Sequence, residues 1–190
     1  MKPKDDEKQR AIAQATFRLV AESGLAALTM SDIARAANIA TATLYVYYPS
    51  KDELLVQLYE QAKTATAHLL MHAYDARAPL RARARAVWLA MLNNRLAHFA
   101  EASFQEQFAA SPWFRERSQR MVASAMGAFS EALDEGRRHE VLKNVPVALL
   151  AANFIASVRE AARLIRAGEL PDDEASRTAA FSMCWDALKA

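Results

Sequence analysis

The chain predicts an all-α fold of about nine helices, and three observations carry that prediction. Its four glycines and six prolines are few for 190 residues, and most fall at the ends of amphipathic runs. Alanine, the strongest helix former, is abundant. No strand-length alternation survives between the proline and glycine marks. Pro49, Pro79, Pro112, Pro146 and Pro171 precede or open a run, where a missing N–H is tolerated. Gly24, Gly136 and Gly168 each follow a run, as glycine does at helix C-caps. Gly127 sits inside one, which suggests a kink or a close helix contact.

The first helix is expected over about residues 6–23, with Ile12, Ala15, Leu19 and Val20 along one side. Thr29 and Asp32 form a T-x-x-D capping signature for the second. Asn38 closes it, because asparagine tolerates the left-handed backbone of a tight turn. A very short third helix covers about 41–47. Ser50 and Glu53 make another capping box for the fourth, which runs to about Ala76 on a stripe of Leu55, Leu58, Tyr59, Ala62, Thr66, Leu69 and Ala73. The fifth spans about 79–102, and a short sixth piece lies near 104–109. The seventh runs over about 112–135, with Phe114, Met121, Val122, Ala125, Phe129 and Leu133 on one face. The last two, about 146–167 and 171–188, are apolar over more than one face. The expected domains are residues 1–50 and 51–190, with the fourth helix bridging them.

Apolar residues make up 53% of the chain, enough for a proper core. The lone cysteine, Cys184, excludes an internal disulfide framework and suits a reducing cytoplasm. No apolar run approaches the roughly 20 residues of a membrane span, and MKPKDDEKQR has no signal-peptide core. A soluble cytoplasmic protein with no membrane partner is expected. Net charge is +2. Within residues 1–55, Lys2, Lys4, Lys8, Arg10, Arg18, Arg35 and Lys51 are balanced by Asp5, Asp6, Glu7, Glu22, Asp32, Asp52 and Glu53. Any phosphate contact there must come largely from hydroxyls, backbone N–H groups and a few lysines.

The most informative stretch is TMSDIARAANIATATLYVYYPSKDELL, residues 29–55. Two short helical patterns flank a tight polar turn, and the second carries small side chains followed by aromatics. Reading a DNA major groove requires a helix whose outer side is small enough for its backbone to approach the bases. Thr41, Ala42 and Thr43 supply short hydroxyls and methyls for base edges, while Ile39 and Leu44 face inward. Tyr45 and Tyr47 project rings whose hydroxyls can reach phosphates. Lys51 beside the free N–H groups of the fourth helix forms another anion site. The plain alternative is a small bundle in which these side chains only pack.

The segment closely resembles the N-terminal domain of the tetracycline-repressor (TetR) family of transcriptional regulators. Residues 12–24, IAQATFRLVAESG, are similar to that family's first helix. Thr29, Asp32-Ile33-Ala34, Ala37, Ile39, Thr43-Leu44-Tyr45, Tyr48, Ser50-Lys51 and Leu54 match its helix-turn-helix and the start of its fourth helix. The resemblance implies that Thr29 and Ser31 touch phosphate or a base edge. It implies base contacts from Thr41, Ala42 and Tyr45, and phosphate contacts from Thr43, Tyr47 and Lys51. Asn38 stands where glycine is usual, Ala42 where glycine is common, and Tyr47 where histidine is frequent. The function implied is a homodimeric repressor that binds a palindromic double-stranded operator and is released by a small hydrophobic effector. No catalytic residue and no cofactor belong to that reading; the chain offers no Ser/His/Asp order and no HExxH motif.

Beyond residue 55 the resemblance is architectural, and the residues are read independently. The eighth helix carries Val147, Leu150, Ala151, Phe154, Val158, Ala161 and Ile165 on one side and Ala148, Ala152, Ile155 and Ala156 on the next. The ninth adds Ala180, Met183, Cys184, Ala187 and Leu188. Helices apolar over so much girth bury two surfaces; the second is either further core of the same monomer or, as expected in so small a protein, another subunit, which puts Ala152, Ile155, Ala156, Ala180, Met183, Cys184, Ala187 and Leu188 at a dimer interface. The middle helices are rich in methionine and aromatics, which usually form ordinary core. From them Trp88, Met91, Leu92, Phe99, Phe114, Met121, Phe129 and Phe154 are pocket candidates. Arg95 and His98 join them, because both fall inside the Ala84, Trp88, Met91, Ala102 stripe. A buried arginine needs a partner, either an acid on a neighbouring helix or an anionic or carbonyl-bearing ligand. His68, His72 and Asp75 have a spacing able to hold a metal, but they lie away from the apolar stripe and read as solvated. Arg77, Arg81, Arg83 and Arg85 likewise read as a solvated face.

Overall fold

The computed structural model describes residues 3–113, 119–120, 124 and 127–190. Among the described residues are nine helices: α1 (Pro3–Ser23), α2 (Met30–Ala36), α3 (Thr41–Tyr47), α4 (Lys51–Ala73), α5 (Leu80–Ala97), α6 (Phe99–Ala109), α7 (Gly127–Arg138), α8 (Val147–Arg166) and α9 (Glu174–Leu188). The all-α class is thus observed. Of the seventh-helix stripe, Phe114, Met121, Val122 and Ala125 lie outside the described residues. Two compact units form, Met1–Ala65 with His98–Val122, and Thr66–Ala97 with Ala123–Ala190. The sequence cut near residue 50 falls inside the first unit, and α4 contributes its beginning to one unit and its end to the other.

In the first unit α1 packs on α6 and α2, and α2 on α3. Ile12, Val20, Ile33, Leu44, Leu54, Leu55, Leu58, Phe104 and Phe108 are fully or nearly fully buried there. Two ring pairs join sequence-distant helices: Phe17 with Phe104 at 5.0 Å, and Tyr59 stacked on Phe108 at 4.5 Å. Each ring is worth about 1.5–3 kcal/mol in buried area. Gln107 of α6 clasps the end of α1. Its Nε2 donates to the Val20 carbonyl at 3.2 Å, and its Oε1 accepts from the Leu25 N–H at 3.0 Å. The Leu25 N–H is left without a backbone partner as the chain reverses through Gly24 at φ 82°, while the Val20 carbonyl also accepts from the Gly24 N–H at 3.0 Å.

In the second unit α8 packs against α5, α7 and α9. Trp88, Leu92, Phe154, Val158, Phe181, Trp185 and Leu188 form its core with Leu70 and Leu142. The Trp88 indole is wholly buried and donates to Ser157 Oγ at 2.9 Å, which satisfies its N–H.

Four sequence expectations need correction. The fifth helix does not run to residue 102: it stops at Ala97, and His98 leaves helical backbone at φ −124°, ψ 46° before α6 begins. The inner stripe of α4 turns toward Ala67 and Leu70, leaving Leu69 exposed, because 3.6 residues per turn drifts over a long helix. Gly136 is not a C-cap but a buried residue inside α7. The left-handed position that ends α7 is Glu140, φ 56°, with Val141 N bonded to the Gly136 carbonyl at 3.0 Å. Finally Arg83, expected in solvent, is buried.

Candidate nucleic-acid interface and apolar cavity

Two capping boxes and one left-handed residue shape the first site. Thr29 Oγ1 accepts from the Asp32 N–H at 3.1 Å and opens α2. Asp32 also accepts from the Thr29 hydroxyl and from Arg35, at 2.8 Å from the latter. Asn38 takes φ 54°, and Ile39 N reaches back to the Ala34 carbonyl at 3.0 Å, so the chain turns sharply into α3. Ser50 Oγ accepts from the Glu53 N–H at 3.1 Å and opens α4.

On α3 the inward side chain is Leu44, wholly buried, with Tyr48 just beyond it. The outward face presents Ala42, Tyr45 and Val46, spaced i, i+3 and i+4. Tyr45 is 49% exposed and Val46 82%. Ser31 and Thr29 are exposed, and Thr41 and Thr43 are half-buried. Sequence reasoning missed Val46. Its signal was the helical spacing from Ala42, and an apolar side chain so exposed on this face suits a thymine methyl.

Two expected phosphate contacts are already engaged. The Tyr47 hydroxyl donates to Asp5 Oδ1 at 2.9 Å, and that bond raises the phenol pKa above its ordinary value. Lys51 Nζ stands 5.3 Å from the centre of the Trp113 ring, whose indole N–H donates to Asp52 Oδ1 at 2.6 Å. Trp113 therefore fixes the start of α4, a role no local pattern announced.

The second unit holds an apolar cavity of about 30 Å³ walled chiefly by Leu80, Ala84, Val87, Phe129, Leu133 and Phe154. A second void of about 20 Å³ shares its Tyr74, Val87 and Phe129 walls. Of the sequence candidates, Phe129 and Phe154 line this cavity. Trp88 and Leu92 are wholly buried core, and Met91 and Arg95 are half-buried. His98 is exposed at the helix break, and Phe99 opens α6 in the first unit, so neither joins the cavity residues. The stripe that placed them assumed an unbroken fifth helix. Phe114 and Met121 lie outside the described residues.

Arg83, not Arg95, lines the cavity. Its residue is 9% exposed. Nη1 donates to the Tyr74 hydroxyl at 2.6 Å and to Glu135 Oε2 at 3.3 Å, and Nη2 donates to Glu135 Oε1 at 3.1 Å. This pairing holds the Glu135 carboxyl below its usual range and Arg83 above its own, against the cost of burial. Arg83 Nε is buried with no hydrogen-bond partner among the described residues. An unmade bond of that kind costs about 1–3 kcal/mol.

Of the interface candidates, Ala152, Ile155, Met183 and Ala187 are exposed and Ala156 and Ala180 half-buried. Cys184 and Leu188 instead turn into their own core beside Phe181 and Trp185, one helical step from the outer face. Burial pushes the Cys184 thiol pKa up. The outer face keeps Leu149 51%, Ile155 42% and Met183 75% exposed. His68, His72 and Asp75 are exposed, and no group of metal-ligating side chains gathers among the described residues. Among those residues, no helix is long and apolar enough to cross a membrane.

A family model of bacterial regulatory proteins, tetR family, matches residues 12–58, which contain α2, the turn and α3. An uncharacterized HTH-type transcriptional regulator of Haemophilus influenzae is 36% identical over 77 residues, 40% of this chain and 41% of its own length. The matched stretch thus spans less than half of that relative. A TetR family transcription regulator from Marinobacter aquaeolei VT8 superposes with a TM-score of 0.93 at 27% identity, covering 100% of this chain and 99% of its own. A TetR-family transcriptional regulator from Haemophilus influenzae Rd superposes at 0.79 over 100% of both chains; at 21% identity it speaks for the fold alone.

Proposed function

We propose, from the premise that this chain belongs to the tetR family of bacterial regulatory proteins, that it is a homodimeric cytoplasmic repressor of transcription. It binds a palindromic DNA operator and lets go when a small hydrophobic effector enters its second unit. The observation that carries the reading is α3: a short helix locked by Leu44 and showing Ala42, Tyr45 and Val46 outward. In this reading Thr41, Ala42, Tyr45 and Val46 meet base edges. Thr29, Ser31, Thr43, Tyr47 and Lys51 meet phosphate or flanking edges, with Tyr47 exchanging Asp5 for the DNA and Lys51 reaching out from Trp113. The protein acts by binding, not by catalysis.

A palindrome calls for two copies with recognition helices one duplex turn apart, roughly 34–36 Å. The exposed apolar side chains of α8 and α9, Leu149, Ile155 and Met183, support such a pairing. The effector acts only through its preference for one of two conformations. Moving the population from 1:99 to 99:1 takes about 10⁴-fold differential affinity. We place its site among α4, α5, α7 and α8, whose residues wall the cavity.

The test is footprinting of the DNA flanking the gene with purified protein. A protected palindrome with half-sites one turn apart is the expected result. Binding that competitor DNA of any sequence removes equally would overturn the reading.

A further inference from the structure

We propose that the cavity of the second unit receives a compact neutral molecule with a carbonyl oxygen, and that the oxygen docks on the unspent edge of the Arg83 guanidinium. The inference rests on the regulator reading above and names the chemistry of its effector. A guanidinium carries five N–H donors in one plane. Arg83 spends three of them, two on Glu135 and one on Tyr74. The Nε–H is buried and unmatched among the described residues. Among the described residues one N–H of Nη2 also remains, beside Nε–H on the same edge of the plane. Two adjacent donors therefore face the same acceptor position.

Charge decides what kind of acceptor fits. The Glu135 carboxylate already balances the guanidinium across two hydrogen bonds. The free edge lacks an acceptor, not a negative charge. A second carboxylate on this edge would be desolvated and repelled by Glu135, whereas a ketone, ester or amide oxygen meets the N–H groups without that cost. The remaining walls are apolar apart from the Tyr74 hydroxyl, which Arg83 already engages, so the rest of the molecule must be hydrocarbon. Size limits it as well. The two voids of about 30 and 20 Å³ share Phe129, which is only half-buried, and the proposed ligand, no larger than one small ring, requires that side chain to turn outward so that the voids join.

Cyclohexanone is the probe, methylenecyclohexane its shape without the oxygen, and cyclohexanecarboxylate its charged counterpart. Each is titrated into the full-length protein and followed by protein chemical shifts. In Arg83→Lys, which keeps the charge and removes the planar edge, the Kd for cyclohexanone is expected to rise at least tenfold. That for methylenecyclohexane is expected to change less than threefold. Ala84→Leu leaves Arg83 in place, narrows the cavity and is expected to weaken both. A crystal soaked with cyclohexanone is expected to place its oxygen within hydrogen-bond distance of Nε, and this readout stands even if Arg83→Lys does not fold. The proposal is overturned if cyclohexanone binds Arg83→Lys as it binds wild type, if the carboxylate binds tighter than the ketone, or if Nε holds an ordered water only. Operator footprinting without any probe tests the regulator reading separately. Specific DNA binding with no ketone at Arg83 would sink this inference and leave that reading standing.

Discussion

A methyl group at Gly136 has no free space to enter. An ideal Cβ there lies 2.5 Å from Leu80 Cδ2 and 2.8 and 2.9 Å from Cδ1 and Cγ of Leu142. Carbon atoms settle near 3.5–4.0 Å, so each contact is short by roughly 1 Å. Leu80 can yield, because its side chain lines the cavity of about 30 Å³. Leu142 has less freedom. It is 2% exposed, and its neighbours are tied down by Lys143 N to the Leu188 carbonyl at 2.9 Å and Ala190 N to the Val141 carbonyl at 3.1 Å. Overpacking costs about 1–3 kcal/mol, and the rigid Leu142 places this site in the upper half of that range. Alanine returns up to about 1 kcal/mol of helix propensity. Gly136→Ala is therefore expected to lose about 1–2 kcal/mol, a fall of about 2–4 °C in Tm for each kcal/mol at this chain length. Urea unfolding at one fixed protein concentration measures it, since self-association shifts apparent stability. Gly127→Ala in the same helix is the control: among the described residues nothing lies within 4 Å of its Cβ, and it is expected to be neutral or up to about 1 kcal/mol more stable. A Gly136→Ala protein as stable as wild type, with the control behaving as stated, would refute the claim that Leu142 cannot yield.

Other outcomes follow from the same geometry. Tyr45→Ala is expected to abolish specific operator binding in gel-shift titration while leaving helix content unchanged by circular dichroism, since its ring is half out of the fold. Lys51→Ala is expected to weaken binding to every sequence and to reduce the slope of log affinity against log salt by about 1. Glu135→Gln is expected to flatten the acid limb of stability. The hydrogen bonds from Arg83 hold the native carboxyl below its ordinary value, so its contribution is present above that value and is lost as pH falls through the lower native one. Stability against pH, compared between variant and wild type below pH 4.5, reads this directly. Met183→Asp, at a side chain 75% exposed, is expected to give a monomer in light scattering with its fold intact.

How much of this was legible in the chain varies by element. The limits of α3 could be read almost to the residue, because T-x-x-D, Asn38 and S-x-x-E are local devices that act within one turn. The break at His98 was not, since neither proline nor glycine marks it and both flanks favour helix. Arg83 read as solvated because its partner Glu135 lies 52 residues away, and no spacing rule reaches that far. Gly136 misled for a related reason. A glycine near a helix end reads as a cap, while its actual cause is the two leucines pressed against it. Cys184 and Leu188 sat within one helical step of the outer face, which is finer than periodicity alone resolves on a helix apolar nearly all round.

The clasp of Gln107 on α1 bears on how this protein can be taken apart. A fragment cut after the second capping box would carry α3 but forfeit Phe104, Phe108 and the amide that seals the end of α1. Such a piece would display raw aromatic-sized hollows and tend to aggregate. Anyone grafting α1 to α3 onto another protein must bring α6 with them, or rebuild their underside.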